Sequence, residues 1–216
     1  MNDRSLTLAP RLLWAVGAGV LAAGIVRRAG EGGAPAAAAA VMLAAYLGWL
    51  LLEAPVTFRR AAAAPADART LLPYALARIL LVASASFGPP PAPAAALSTA
   101  VFAAASAGMF AAGVVLRRAA IRTLGRFYSH HVVRYDGHRV VTSGLYRIVR
   151  HPAYAGMLLA NTGFALFFRS PAVAAALLLL AAAVAWRIRV EERALMDVPG
   201  YARYAAGTPR LVPGVW

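Results

Sequence analysis

Apolar residues run along this chain in unbroken blocks, without the periodicity of a helix or strand that keeps one face wet. Six blocks stand out, at residues 12–26, 34–52, 71–87, 92–116, 153–168 and 171–186. A helix of a soluble domain needs a polar face. Blocks without one fit lipid, where about 20 mostly apolar residues rising ~1.5 Å each cross roughly 30 Å of hydrocarbon. The pattern predicts an all-α, polytopic integral membrane bundle of about six segments. The first, fifth and sixth blocks are short for a full span. Only Arg169 and Ser170 separate the last two, which predicts a tight C-terminal helical hairpin with Pro171 in its second first turn, where proline is tolerated. Residues 87–93 (FGPPPAP) cannot be helical and form a stiff connection. GAGVLAAG, from Gly17 to Gly24, lacks both the spacing of a dinucleotide loop and a strand before it. It reads as small residues for close helix packing. We read one structural unit, with N-terminal transmembrane helices in 1–116 and a core carrying the chemistry in 117–216.

Composition agrees: of 216 residues 61% are hydrophobic and 14% charged, too little charge to keep a soluble surface wet. The absence of cysteine excludes disulfides, thiolate metal sites and thiol nucleophiles. A net charge of +14 would suit nucleic acid in a soluble protein. In a membrane protein it can simply mark the cytoplasmic face. All 22 basic residues are Arg, which resembles a GC-rich coding bias, so the choice of Arg over Lys carries little meaning. If the spans alternate, 18 of the 22 fall on one face, in residues 1–11, 53–70, 117–152 and 187–216. Arg27, Arg28 and Arg169 lie opposite, and Arg78 lies within a span. This asymmetry predicts cytoplasmic termini, in a bacterial plasma membrane. The first apolar stretch has no small-residue cleavage site and is followed by Arg-Arg, unlike a signal peptide.

The candidate chemistry gathers in the C-terminal half. His130, His131, His138 and His151 all fall between the fourth and fifth blocks, with Asp136 and the tyrosines Tyr128, Tyr135 and Tyr146. Their number is half what a diiron membrane oxygenase needs, and their spacing fits no common zinc pattern, so no metal is expected. A second polar cluster, residues 187–192, follows the last block. There Arg187 and Glu191 share a helix face, as do Arg189 and Glu192. Alone this would read as a solvated helix end with Arg at the headgroups. A hairpin, however, brings Arg150 and His151 to the same membrane edge as that cluster, and converging polar groups beside an apolar cleft make a default site. Asn161, inside the fifth block, should face a cavity or a neighbouring helix.

These residues carry a recognisable string. Gly144, Tyr146, Arg150, His151, Pro152, Tyr154 and Gly156 form G-x-Y-x-x-x-R-H-P-x-Y-x-G, preceded by His138 and followed by Glu191-Glu192, Tyr201, Tyr204 and Thr208-Pro209-Arg210. Over about 120–216 the chain resembles the isoprenylcysteine carboxyl methyltransferase family. The resemblance implies a helical membrane methyltransferase that uses S-adenosylmethionine, without a Rossmann domain, at the cytosolic face. It places His138, Val140, Leu145, Tyr146, Arg150, His151, Pro152, Tyr154, Glu191 and Glu192 around the cofactor, with Arg187 and Glu191 beside the reacting group. The family's Phe-Gly pair before the C-terminal tyrosines is replaced here by Asp197-Val198-Pro199-Gly200, which bears on the shape of the lid.

The chemistry is consistent from below. In-line methyl transfer needs positioning more than acid or base groups. A sulfonium and an amino group favour nearby carboxylates such as Glu191 and Glu192, and a cofactor carboxylate wants an Arg, for which Arg150 is the candidate. A carboxylate acceptor needs only an Arg to hold it, and Arg187 fits. An amine such as a phospholipid headgroup would need Glu191 as base. The sequence holds groups for both. An NADPH-dependent sterol-type reductase shares an RHP-type region but usually has more spans and longer loops. A transporter or scaffold would place charges along a path inside the spans, where only Arg78 is evident. The expected partners are a lipophilic small molecule and membrane lipids, and no nucleic acid.

Overall fold

The computed structural model describes residues 3–58, 68–91, 97–125, 140–214 and 216. Among these the chain is all-helical: α1 (Asp3–Glu31), α2 (Ala34–Thr57), α3 (Ala68–Phe87), α4 (Leu97–Leu124), a short 3-10 turn (Gly144–Arg147), α5 (Pro152–Phe168), α6 (Pro171–Leu195) and α7 (Tyr201–Gly207). Five helices are long and apolar enough to cross a membrane, and α5 is shorter at 17 residues. Large apolar side chains such as Val26, Val41, Val115 and Leu178 stand exposed on their outer faces, as lipid contact requires. The chain is a polytopic helical membrane protein.

The helices run past the apolar blocks. α1 has 29 residues and α6 has 25, so neither is short, contrary to the expectation from hydropathy. Polar residues end an apolar block without ending a helix, because Arg, Glu and Ala propagate helix well. Breaks come at Gly and Pro instead. Pro35, Pro152 and Pro171 stand in first turns, and α3 stops at Phe87 before the prolines. α4 begins at Leu97, and the earlier part of the fourth block, 92–96, lies outside the described residues.

The turn between α5 and α6 is as tight as expected, with Arg169 left-handed at φ 50°. The two helices then diverge. α5 packs chiefly on α4, α6 packs on α3, and contact between α5 and α6 is minor. Glycines explain the first pairing. A Cβ on Gly156 would lie 2.5 Å from the amide nitrogen of Arg117, and one on Gly163 2.6 Å from the Ser106 carbonyl oxygen. Only hydrogen lets the two backbones meet so closely. In α1, Gly24 makes the close approach expected of it, against Ser86 of α3, while Gly19 meets nothing.

A buried polar cluster lies where the sequence marked a single charge. Glu53 and Arg117, counted above as loop residues at one face, are buried within α2 and α4 and form an ion pair through Arg117 Nε and Nη2. Trp49 Nε1 donates to Glu53 at 2.8 Å, and Arg117 Nη1 donates to the Ala153 carbonyl at 3.1 Å. Arg78 Nε donates to Tyr46 Oη at 2.9 Å, and that hydroxyl donates to Asn161 Oδ1 at 2.8 Å. Asn161 thus meets a neighbouring helix, as expected of a polar group in a span. The cluster ties α2, α3, α4 and α5 together. At the opposite end Arg28 donates to the carbonyls of Ala85 and Gly88, and Arg27 to that of Ser86, so the end of α1 caps the end of α3.

Candidate functional site

The ends of α3, α5 and α6 meet with the C-terminal strap at one end of the bundle. His151 is the residue before α5, with φ −125° and Pro152 following it in the first turn. Its amide donates to the Arg210 carbonyl at 2.9 Å, and the Arg150 amide to that of Pro209 at 2.8 Å. The strap therefore takes up backbone donors that a helix start leaves free, and His151 is held inward, 5% exposed.

Two linked constellations result. Glu192, buried on α6, faces three cationic or basic groups: Arg150 Nη1 at 3.0 Å and His151 Nε2 at 3.1 Å on one oxygen, and Arg210 Nε at 2.8 Å on the other. Beside it, Arg187 Nε donates to Tyr154 Oη at 2.9 Å, and Tyr154 donates to Glu191 at 3.0 Å. The helical spacing of Arg187 and Glu191 is thus bridged by a tyrosine from α5. Arg187 also donates to Thr70 Oγ1 at 3.1 Å and lies 5.7 Å from the centre of the Tyr74 ring. Arg189, which spacing alone would pair with Glu192, lies exposed 6.0 Å from the centre of the Trp216 ring.

Three arginines against two carboxylates leave the cluster suited to a ligand carboxylate. Two buried polar atoms at its edge, Arg150 Nε and Tyr201 Oη, have no partner among the described residues. Burial pushes the phenols of Tyr201 and Tyr204 up, the latter to about 12, so both are neutral donors at physiological pH. Tyr204 donates to the Tyr146 carbonyl at 2.6 Å and pins α7 to the 3-10 turn.

Of the residues singled out from sequence, Arg150, His151, Tyr154, Arg187, Glu191 and Glu192 come together, with Pro152 buried at their base. Leu145 and Tyr146 instead pack in a small apolar cluster with Ala120, Ala153 and Ile121. Val140 is half-buried just before that turn. His138 lies outside the described residues, as do His130 and His131. Arg210 was read only as part of a string, and Thr70 and Tyr74 carried no signal, because nothing in sequence announces that the start of α3 packs on α6.

Residues 106–197 match the model of the isoprenylcysteine carboxyl methyltransferase (ICMT) family. Over that stretch, which is less than half of the chain, the sequence is similar to that family. The matched segment takes in most of α4 and all of α5 and α6, and ends before α7 and the strap that supplies Arg210. Protein-S-isoprenylcysteine O-methyltransferase B of Arabidopsis thaliana is 37% identical over 116 residues, covering 50% of this chain and 57% of the relative. The A form of the same plant is 36% identical over the same shares. A probable protein-S-isoprenylcysteine O-methyltransferase of Oryza sativa subsp. indica is 38% identical over 61 residues, 27% of this chain and 32% of the relative. The matched region spans little more than half the length of the two Arabidopsis relatives and about a third of the Oryza one.

Proposed function

We propose that the chain is a membrane methyltransferase that moves a methyl group from S-adenosylmethionine to a lipophilic carboxylate of the isoprenylcysteine type. The observation that carries this reading is the junction of the Glu192–Arg150–His151 cluster with the Arg187–Tyr154–Glu191 chain at one end of the bundle. The donor set fits the cofactor: carboxylates for its amino group and sulfonium, arginines for its carboxylate, and the unpartnered Arg150 Nε and Tyr201 Oη as further donors. On this reading Arg150, His151, Pro152, Tyr154, Glu191 and Glu192 line the cofactor at a cytoplasmic face, with Val140, Leu145 and Tyr146 preceding them in the chain, and His138 lies outside the described residues. The bound cofactor supplies an electrophilic methyl group.

The protein's own part is orientation and exclusion of water. Arg187, held by Tyr154, Thr70 and the Tyr74 ring, keeps its charge where an acceptor carboxylate can be fixed in line. An ionised carboxylate is nucleophilic without a base. Glu191 shares the Tyr154 hydroxyl with Arg187 and acts as a positioning carboxylate.

Calorimetry with S-adenosylhomocysteine on the detergent-solubilised protein tests the cofactor. Saturable binding is expected, with Glu192→Ala and His151→Ala each at least ~10-fold weaker, the worth of a charged hydrogen bond or two. A folded, monodisperse wild type that fails to bind would sink the reading, and NADPH would be the next ligand. For the acceptor, a prenylated cysteine acid should take up radiolabelled methyl while its amide should not. Labelling of the amide or of phosphatidylethanolamine instead would overturn the carboxylate assignment.

A further inference from the structure

Beside the Arg187 cluster, with which it shares Tyr74, α1, α2 and α3 flank an open cleft whose empty space, open solvent included, is about 720 Å³. Trp14 and Leu21 line it from α1, Leu50 from α2, and Leu71 and Ile79 from α3. Its lining on α3 runs from Leu71 to Val82, about 16 Å along the helix. The walls are apolar except for Arg78, Thr57 and the hydroxyls of Tyr46 and Tyr74.

Arg78 is the unusual wall residue. Its side chain is 13% exposed, and among the described residues its Nη2 has no partner and its nearest carboxylate oxygen, on Glu53, is 3.8 Å away. Glu53 is already committed to Arg117 and to Trp49. Two buried cations therefore share one carboxylate, and the surplus charge sits on the arginine that faces the cleft. The rings of Trp49 and Tyr46, with centroids 4.6 and 5.4 Å away, offset part of that charge. A cation that shares its carboxylate with a second arginine is still incompletely compensated for its desolvation, and intramembrane charges of this kind mark ligand paths.

We propose that this cleft binds a long-chain carboxylic acid, its carboxylate on Arg78 and its chain along the α1–α3 wall. Depth selects the acid over a phospholipid. Arg78 lies ten residues into α3, about 15 Å from the helix start and near the middle of a helix whose length matches a ~30 Å hydrocarbon layer. A carboxylic acid reaches that depth in its neutral form and ionises against the guanidinium, releasing its proton to water. A phosphodiester is charged at every physiological pH and stays with the headgroups. The proposal rests on the cleft and its charge, and stands or falls apart from methyl transfer.

Trp14 in the wall and Trp49 under Arg78 supply the readout, because bromine quenches indole fluorescence on contact. The full chain in detergent would be titrated with 9,10-dibromostearic acid, the matching dibromo alcohol and a dibrominated phosphatidylglycerol. The acid should quench saturably, with the alcohol and the phospholipid at least ~10-fold weaker. Arg78→Gln should weaken the acid by a similar factor. Ala75→Phe leaves Arg78 intact and fills the cleft from α3, and it should abolish saturable quenching if Arg78→Gln does not fold. Equal quenching by acid and alcohol, stronger quenching by the phospholipid, or an unchanged Ala75→Phe titration would each overturn the proposal.

Discussion

Replacement of Glu53 by Leu is expected to destabilise the bundle strongly. Glu53 is 2% exposed, accepts from Arg117 and Trp49, and lies 3.8 Å from Arg78. Without it two buried guanidinium groups lose the carboxylate they share, and breaking a buried pair in this way costs about 3–5 kcal/mol. For a chain of this length that corresponds to a fall in melting temperature of roughly 10 °C. The effect should be partly reversed in Glu53→Leu/Arg117→Met, which returns the cluster to the single positive charge of the wild type. Thermal scanning by size-exclusion chromatography in detergent measures both. A single variant melting with the wild type would show that the pair is not load-sharing, and a double variant no better than the single would show that charge is not the cause.

Gly113→Val should be nearly as severe and should reach the site. A Cβ at Gly113 would run into the backbone nitrogen of Ala160 and come within 2.6 Å of the Gly156 carbonyl oxygen. Both obstacles are backbone, so no rotamer change relieves them and α4 must move off α5. Overpacking usually costs 1–3 kcal/mol, and a displaced helix lies at the upper end of about that range. α5 carries His151 and Tyr154 at its start, so the displacement also pulls them from Glu192 and Glu191. S-adenosylhomocysteine binding should then be lost even in the fraction that remains folded. Gly108→Ala in the same helix meets no atom within 4 Å and serves as the control. It should be neutral or slightly stabilising, by up to ~1 kcal/mol from helix propensity. Normal binding by Gly113→Val would remove the seam from the argument.

The two variants concern different kinds of information. Gly156 belongs to a string readable in sequence, yet its physical role is contact with Gly113, 43 positions earlier, and no spacing rule links the two. Glu53 and Arg117 were assigned to loops because a charge ends an apolar block, and hydropathy has no means to distinguish a charge facing water from one paired inside. Arg150, His151, Tyr154, Arg187, Glu191 and Glu192 were legible because a hairpin returns its two ends to the same membrane edge. The turn at Arg169 and Ser170 is enough to require that, although α5 and α6 themselves separate onto different neighbours.

Lipid allows the backbone only helix in its interior, so the length and apolarity of the blocks determined by themselves that the chain is a helical bundle with its polar chemistry at one end. Which helices touch was decided only in the tertiary structure. In a bilayer all apolar faces are nearly equivalent, and association depends on where small residues let backbones approach and where buried polar groups find partners. Those conditions paired α4 with α5 and α3 with α6. They also brought Thr70 and Tyr74 to Arg187, and left Arg78 facing an apolar cleft with a share of one carboxylate.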